Sequence, residues 1–586
     1  MLTNALLAGA LGAAYLTVLV LQLNPHVPLL SSTVWWWYLT LGALYGVHLA
    51  VLFYVAMVLR EFVSLDMFSP GWVSVRLLAW LSAITAAVAA LLMWLNVRGL
   101  PAVLDEAANR RFAVGAGATT ASAVVLLGIA IAHYSFGRRG SRVGATLLVI
   151  AITGSLALPL AARGRGGEPR ATPIHETMSA APPNTTVPHV VLLILDGASL
   201  EFVWPRAAEG RLPNFGRLLD GGASLDLATI RPTQPDPVWA AVATGMYPAK
   251  NGVRSATSYY AGRDSRAIDL LPDHCFSQAL VRLGLVRNEP KSSSVWQAPP
   301  IWSILDDYGI SSGIVRWPLT YPAQPTRGFL VTDRFHTVLG TVFEIDGRAT
   351  YPAEIQPAVH SAFAASEATA PDVLPAGVPP STSPVRDITP GRWDRSYSRA
   401  LRDLNAQRPV SFTAIRYQGV DAIGHHYLRY AQPRSFGDVS DEERLKYGAV
   451  LERYYAYIDG QIGVALDHLA PGDLLLVVSG FGMELVGPIK HLLGRVIRDP
   501  DLSGTHERAP DGFLLAYGEA VAAGRYQRGS IVDVAPTILY FLGLPVGRDM
   551  DGRVLIDAFS EEFIRRSTLS VIQTYEAREI IMKRGG

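Results

Sequence analysis

Two hydrophobic patterns run along this chain and meet near residue 162. In the first part the apolar residues are almost unbroken. They fall into five segments at about 2–23, 34–59, 72–97, 112–136 and 143–162. Each reaches the roughly 20 residues that a membrane-spanning helix needs. Trp35, Trp36, Trp37 and Tyr38 gather at one end of the second segment, as in an interfacial aromatic belt. The first segment lacks a basic n-region and four more follow it, so it reads as a retained helix rather than a cleaved signal peptide. Buried core helices are the alternative, and the segments' length and near absence of charge weigh against it.

From Val187 onward the pattern shortens and alternates. VPHVVLLILDG at 187–197 predicts a buried strand that ends in Asp196-Gly197. A carboxylate at the end of a buried parallel strand stands where open α/β sheets place their ligands. Strands are also expected at 313–317, 410–417 and 474–479. Helices are expected at 213–219, 303–308, 396–404, 447–469 and 531–542, with a charged amphipathic tail helix at 561–581 inside a C-terminal region 559–586. Strands alternating with helices imply an α/β fold with a mostly parallel central sheet covered on both faces, preceded by an all-α bundle. The domain bounds that follow are 1–162 for the bundle, 163–186 for a Gly-, Arg- and Pro-rich linker and 187–558 for the α/β domain. An irregular Pro-, Ala- and Ser-rich insertion is expected at about 336–395. The triplet Asn184-Thr185-Thr186 in the linker fits a glycosylation sequon, but such a composition produces it by chance.

Charge refines this picture. Only 17% of the 586 residues are charged, against about 25% in ordinary proteins, and the deficit sits in the first 160. A net charge of +1 points to no nucleic-acid polymer as partner. The single Cys275 excludes an internal disulfide and reads as a structural thiol. Within the spans His48 is the main ionisable residue away from the ends, and it reads as a packed residue rather than a site. A transporter would place acids or bases inside the bundle, so the bundle reads as an anchor. Basic residues nearly tie across the two sides. The short loop 137–142, with Arg138, Arg139 and Arg142, is the stronger positive-inside signal. It places the N-terminus in the cytoplasm and, after five spans, the large domain outside a cell (inner) membrane, with the lipid bilayer as a partner.

Four stretches carry candidate chemistry. They are Asp196, the loop RPTQPDPV at 231–238, the run DAIGH at 421–425 and SGTH at 503–506. Singly each is weak, since an Asp and a His four residues apart are usually a surface pair. In this order, and together with LPNFGRLLDGG at 212–222, ATGMYPAKNGV at 243–253, GFLVTDRF at 328–335 and VDVAPTILYFLGLPVGRDMDGRVL at 532–555, they resemble the alkaline phosphatase superfamily. The similarity is to its type I phosphodiesterase and nucleotide-pyrophosphatase branch, over nearly all of 187–555. The resemblance implies an α/β sandwich, two divalent metal ions (usually zinc), a Thr or Ser nucleophile and phosphoester chemistry. Two cations neutralise the phosphate oxygens, activate the nucleophile and steady the leaving group.

Carried over by position, Asp421, His425 and His506 form one complete metal site, a set of two imidazoles and a carboxylate that suits zinc. The resemblance builds the second site from Asp196, the nucleophile and an Asp-His pair after a late strand. Gly480 and Phe481 stand where that pair belongs, and Pro235 stands at the nucleophile position. Thr233 could present a replacement hydroxyl, because residues i and i+2 of an extended segment face the same way. Asp236 could replace a carboxylate, and His426, Glu484 or His491 could be drawn to a second metal. The plainer reading has Thr233 capping its turn and Asp236 in solvent.

The expectation is a membrane-anchored, metal-dependent phosphoesterase or phosphotransferase holding one zinc ion rather than two. Asp196 would lie beside that ion, and Thr233 or an activated water would attack. Its substrate would be a lipid, glycan or nucleotide phosphate ester. The alternative is a catalytically inactive protein of the same fold that binds a ligand or serves assembly. A transporter with an accessory domain is the weakest reading.

Overall fold

The computed structural model describes residues 1–64, 74–135, 142–164, 187–263, 265–275, 277–338, 347–367, 389–432, 439–487, 502–506 and 508–575. The chain divides into two compact units. One is Met1–Arg170 with Thr257–Lys291, and the other is Ala171–Ala256 with Ser292–Gly586.

The first unit contains five helices long and apolar enough to cross a membrane. They are α1 (Leu2–Leu23), α2 (Ser32–Arg60), α3 (Val75–Gly99), α4 (Glu106–Ser135) and α5 (Arg142–Ala162). A π-helical turn at Gly42–Gly46 interrupts α2. Large apolar side chains such as Val51, Leu59, Val124, Val149 and Ile150 point outward, as a bilayer-facing surface requires. The Nδ1 atom of His48 lies 2.5 Å from the Leu44 carbonyl of its own helix. That contact is local to one turn.

Thr257–Lys291 lies inside the sequence interval that reads as the α/β domain, yet it packs with the helices. Its antiparallel ribbon pairs Thr257–Tyr260 with Arg287–Pro290. Tyr259, Ile268, Leu280 and Val286 share one apolar cluster with Val20, Val27, Trp37 and Leu41. Asn24, the C-cap of α1, accepts from the backbone N–H groups of Asp269 (2.9 Å) and Leu270 (3.1 Å). Asn96 near the end of α3 accepts from Asp273 N–H at 2.8 Å. These amides cap backbone groups that would otherwise be left unpaired. Cys275 belongs to this segment, is buried, and has its thiol pushed up to about 12, chiefly by burial.

The second unit is a ten-stranded sheet with helices around it. Its strands are β1 (Val190–Leu195), β2 (Ala223–Ala228), β3 (Ser312–Val315), β4 (Gly328–Val331), β5 (Thr350–Tyr351), β6 (Phe412–Tyr417), β7 (Leu474–Phe481), β8 (Asp511–Tyr517), β9 (Gly524–Arg525) and β10 (Gly529–Ser530). The order is β9-β2-β8-β7-β1-β6-β3-β4-β5, with β10 also on β2. β7, β1, β6, β3 and β4 run parallel, while β8 and β5 are antiparallel to their neighbours. The central strands are apolar on both faces because helices cover both. This is the mixed, mostly parallel α/β fold that the alternation of elements predicts.

Several elements differ from expectation. The helix expected at 447–469 is two, Asp441–Tyr447 and Val450–Asp467, the first opened by a Ser440/Glu443 capping box. The tail helix covers Glu561–Arg566 alone. Beyond it Val571–Ile572 is extended and pairs in parallel with Val546–Gly547, so backbone pairing overrides the charge pattern there. Residues 576–586 lie outside the described residues, as does the sequon at 184–186. The insertion contains a regular helix, Gln356–Glu367, and 368–388 also lie outside the described residues.

One buried carboxylate fixes the start of the helix that carries the candidate site. Asp394, on α7 (Thr389–Gln407), is fully buried. It accepts from the backbone N–H groups of Gln418 (3.1 Å) and Gly419 (2.8 Å) and is bonded by the Arg316 guanidinium and the Tyr454 hydroxyl. These bonds hold the first turn of α8 (Gly419–Ala431). Removing one partner of a buried ion pair strands the other charge, at about 3–5 kcal/mol. Asp394→Ala is therefore expected to lower stability by that amount in urea unfolding of the full chain in detergent. A loss under about 1 kcal/mol would show that this network does not hold the helix start.

Candidate metal centre

Asp421 and His425 stand four residues apart on α8, which puts them on one face of the helix. His506 follows Gly504–Thr505, a short strand paired antiparallel with Glu484–Leu485. The three meet: one ligand atom from each lies within 4.8 Å of the others. His425 Nε2 is 3.6 Å from Asp421 Oδ2, and His506 Nε2 is 3.7 Å from Asp421 Oδ1. Those separations are too long for hydrogen bonds. Tetrahedral zinc, with bonds of about 2.0–2.1 Å, spaces its ligands by roughly 3.4 Å.

The other ring nitrogens explain the geometry. His425 Nδ1 faces the Gly504 carbonyl at 2.8 Å, and His506 Nδ1 faces the Thr233 carbonyl at 3.1 Å. A carbonyl only accepts, so each Nδ1 carries a proton. In the neutral rings both Nε2 lone pairs then point towards the Asp421 carboxylate. Acceptors facing acceptors suit a metal ion or a proton between them, and backbone carbonyls commonly fix ligating imidazoles in this way. Asp421 Oδ1 is buried without a hydrogen-bond partner, an orphan that a metal would satisfy. The donor set and spacing fit one divalent ion. Among the described residues no second group of three such ligands occurs.

Asp196 is placed differently. It is fully buried at the end of β1, and Arg416 of β6 grips it. Arg416 Nη2 is 2.6 Å from Oδ2, and Nε is 3.0 and 3.2 Å from the two oxygens. The Trp239 indole N–H donates to Oδ1 at 2.5 Å. The strand register produces this pairing: Ile194 lies opposite Arg416, so Asp196, two residues on, projects from the same face. Asp421 stands close by. A Cβ on Gly197, which takes a positive φ of 71°, would sit 3.0 Å from the Asp421 Cα.

The profile of the family described as "Type I phosphodiesterase / nucleotide pyrophosphatase" matches residues 190–528. The chain belongs to this family. A search of solved structures finds murine ectonucleotide pyrophosphatase / phosphodiesterase 5, at 13% identity and a TM-score of 0.37, covering 64% of this chain and 100% of that one. A search of curated proteins finds no match.

Where the resemblance expects the Asp-His pair of a second metal site, this chain offers no ligand. Gly480 has no room for a side chain, since a Cβ there would lie 2.4 Å from Val238 Cγ1 and 3.4 Å from the Trp239 ring. Phe481 is buried and packs its ring 5.0 Å from that of His506. Asp196, expected as a metal ligand, has its oxygens engaged by Arg416 and Trp239. Among the described residues, Asp196, Gly480 and Phe481 leave no free ligand set for a second metal.

Thr233, expected as a possible nucleophile, is buried, and its hydroxyl donates to the Ile230 carbonyl at 2.9 Å. It closes its own turn, and its carbonyl orients His506. Pro235 opens helix α6 (Pro235–Thr244), a position suited to a residue without an N–H. Glu484 lies in the short ribbon opposite Thr505, and His491 lies outside the described residues. The sequence reading missed Arg416. Its signal was a lone basic residue in the buried strand FTAIRY.

Asp236 is half-buried rather than in solvent. Burial pushes its carboxyl up to about 6, with Arg416 opposing and the Asp333 and Asp196 charges adding to the rise. A carboxyl raised from 3.8 favours the folded state while protonated, and that contribution is lost as pH climbs through about 6. Asp236→Asn is therefore expected to stabilise the chain at pH 7.5, by about 1 kcal/mol after allowing for solvent screening, and to change little at pH 4. Thermal unfolding at the two pH values checks this, and an equal shift at both would contradict it.

Proposed function

We propose that the chain is a membrane-anchored phosphoesterase that works with one divalent ion, zinc by its donor set, held by Asp421, His425 and His506. The observation that carries this reading is the pair of backbone-anchored imidazoles aimed at a carboxylate with an orphaned buried oxygen. Membership of a phosphodiesterase and pyrophosphatase family supports phosphate esters as the substrate class. A lipid, glycan or nucleotide phosphate would suit a site tethered to a membrane. The ion, when bound, polarises the phosphate and activates a water, because it lowers the water's pKa towards neutrality. The chain's own residues do the rest. The Gly504 and Thr233 carbonyls hold both imidazoles in one tautomer, and Asp421 supplies the negative charge that fixes the cation. With the Thr233 hydroxyl committed to its turn, water is the attacking group.

Outward orientation of the α/β unit follows from the basic loop 137–142.

A second reading, a binding protein without turnover, is favoured by Thr233 and by Pro235 at the family's nucleophile position. Two measurements on the full chain separate the readings. Elemental analysis is expected to find about one zinc per chain, falling to near zero in His425→Ala. Two ions, or none, would overturn the single-ion reading. Hydrolysis of chromogenic phosphate mono- and diesters is expected in the wild type and lost at least 100-fold in His425→Ala. Zinc without hydrolysis would establish the binding reading.

A further inference from the structure

We propose that the Arg416 guanidinium serves as a second, covalently tethered cation of the site and takes a phosphate oxygen of the substrate. The inference rests on the single-ion reading above and concerns a residue outside the metal trio.

The argument begins with charge. A phosphate ester bound by one divalent ion leaves oxygens that no metal reaches, and a second cation would neutralise them. A ligating side chain at residue 480 is excluded by Val238 and Trp239. The carboxylate that would have held a second metal is instead paired with Arg416. A positive charge therefore still stands beside Asp196, carried by a side chain that the Asp236 and Asp333 carboxylates also face.

The geometry suits such a role. Nε and Nη2 are spent on Asp196, and the Trp239 indole completes the carboxylate's partners. This leaves a guanidinium that cannot rotate. Its remaining nitrogen, Nη1, makes no bond to another described residue, and 6% of the side chain is exposed. Asp421 lies against Gly197, the residue after Asp196, so the metal trio stands next to the carboxylate that Arg416 holds. A planar guanidinium already fixed by a carboxylate loses little freedom when it binds an oxyanion, and Arg is the common choice for phosphate. Asp196 becomes a positioning residue that aims Arg416.

Inorganic phosphate is the probe, titrated calorimetrically into the full-length protein in detergent, with and without zinc. The double variant Asp196→Asn/Arg416→Gln removes both charges of the ion pair together. Phosphate affinity is expected to fall at least tenfold while the zinc content stays that of the wild type. Arg416→Lys keeps a charge opposite Asp196 but loses the fork, and a loss of threefold or more is expected. Should the double variant not fold, the Lys variant decides. Affinity within twofold of wild type in the folded variants, or no phosphate binding by the wild type, overturns the proposal. A wild-type chain without zinc would instead sink the single-ion reading, and the zinc-free titration would still test Arg416.

Discussion

A carboxylate at the end of a fully buried strand must be given a positive charge or a proton, and the site is arranged around how Asp196 is given one. Arg416 reaches it from the adjacent strand, bonding both oxygens, and Trp239 takes the remaining approach. Once that pair is made, other choices follow. Residue 480 must be small, because Val238 and Trp239 occupy the volume above it. Phe481 is apolar, and its ring lies tilted 5.0 Å from that of His506. A pair so enclosed gains little net energy from its own attraction, which is offset by desolvation. Its value lies in fixing where a positive charge stands.

The metal trio solves the opposite problem. Asp421 also lies largely out of solvent, but Oδ1 is left without a partner and both neighbouring imidazoles turn their lone pairs towards it. Within one side of one sheet, two aspartates are therefore treated differently. One is satisfied by protein groups, and the other keeps a buried oxygen without a hydrogen-bond partner.

Much of this was legible in the sequence. The five apolar helices and the buried strands show because hydrophobic period and length are local properties. The trio shows because Asp421 and His425 share a helical spacing and His506 sits in a recognisable loop. Arg416 did not show, because its partner lies 220 residues away and they meet only through strand register. The tail helix was overcalled because charges at helical spacing carry no information about a strand partner at Val546–Gly547. The Thr257–Lys291 segment hid for a similar reason. Tyr259, Ile268 and Leu280 look like ordinary core residues, and nothing local says that their core is a helix bundle.

That segment changes what kind of attachment the α/β unit has. The chain passes between the two units at residues 170/171, 256/257 and 291/292. A single scission in the linker at 163–186 would leave the units covalently joined through the other two passages. The enzyme-like unit is thus not a cargo on a stalk that a protease could shed. Its release would require cutting on both sides of an excursion whose apolar residues are buried against the helices.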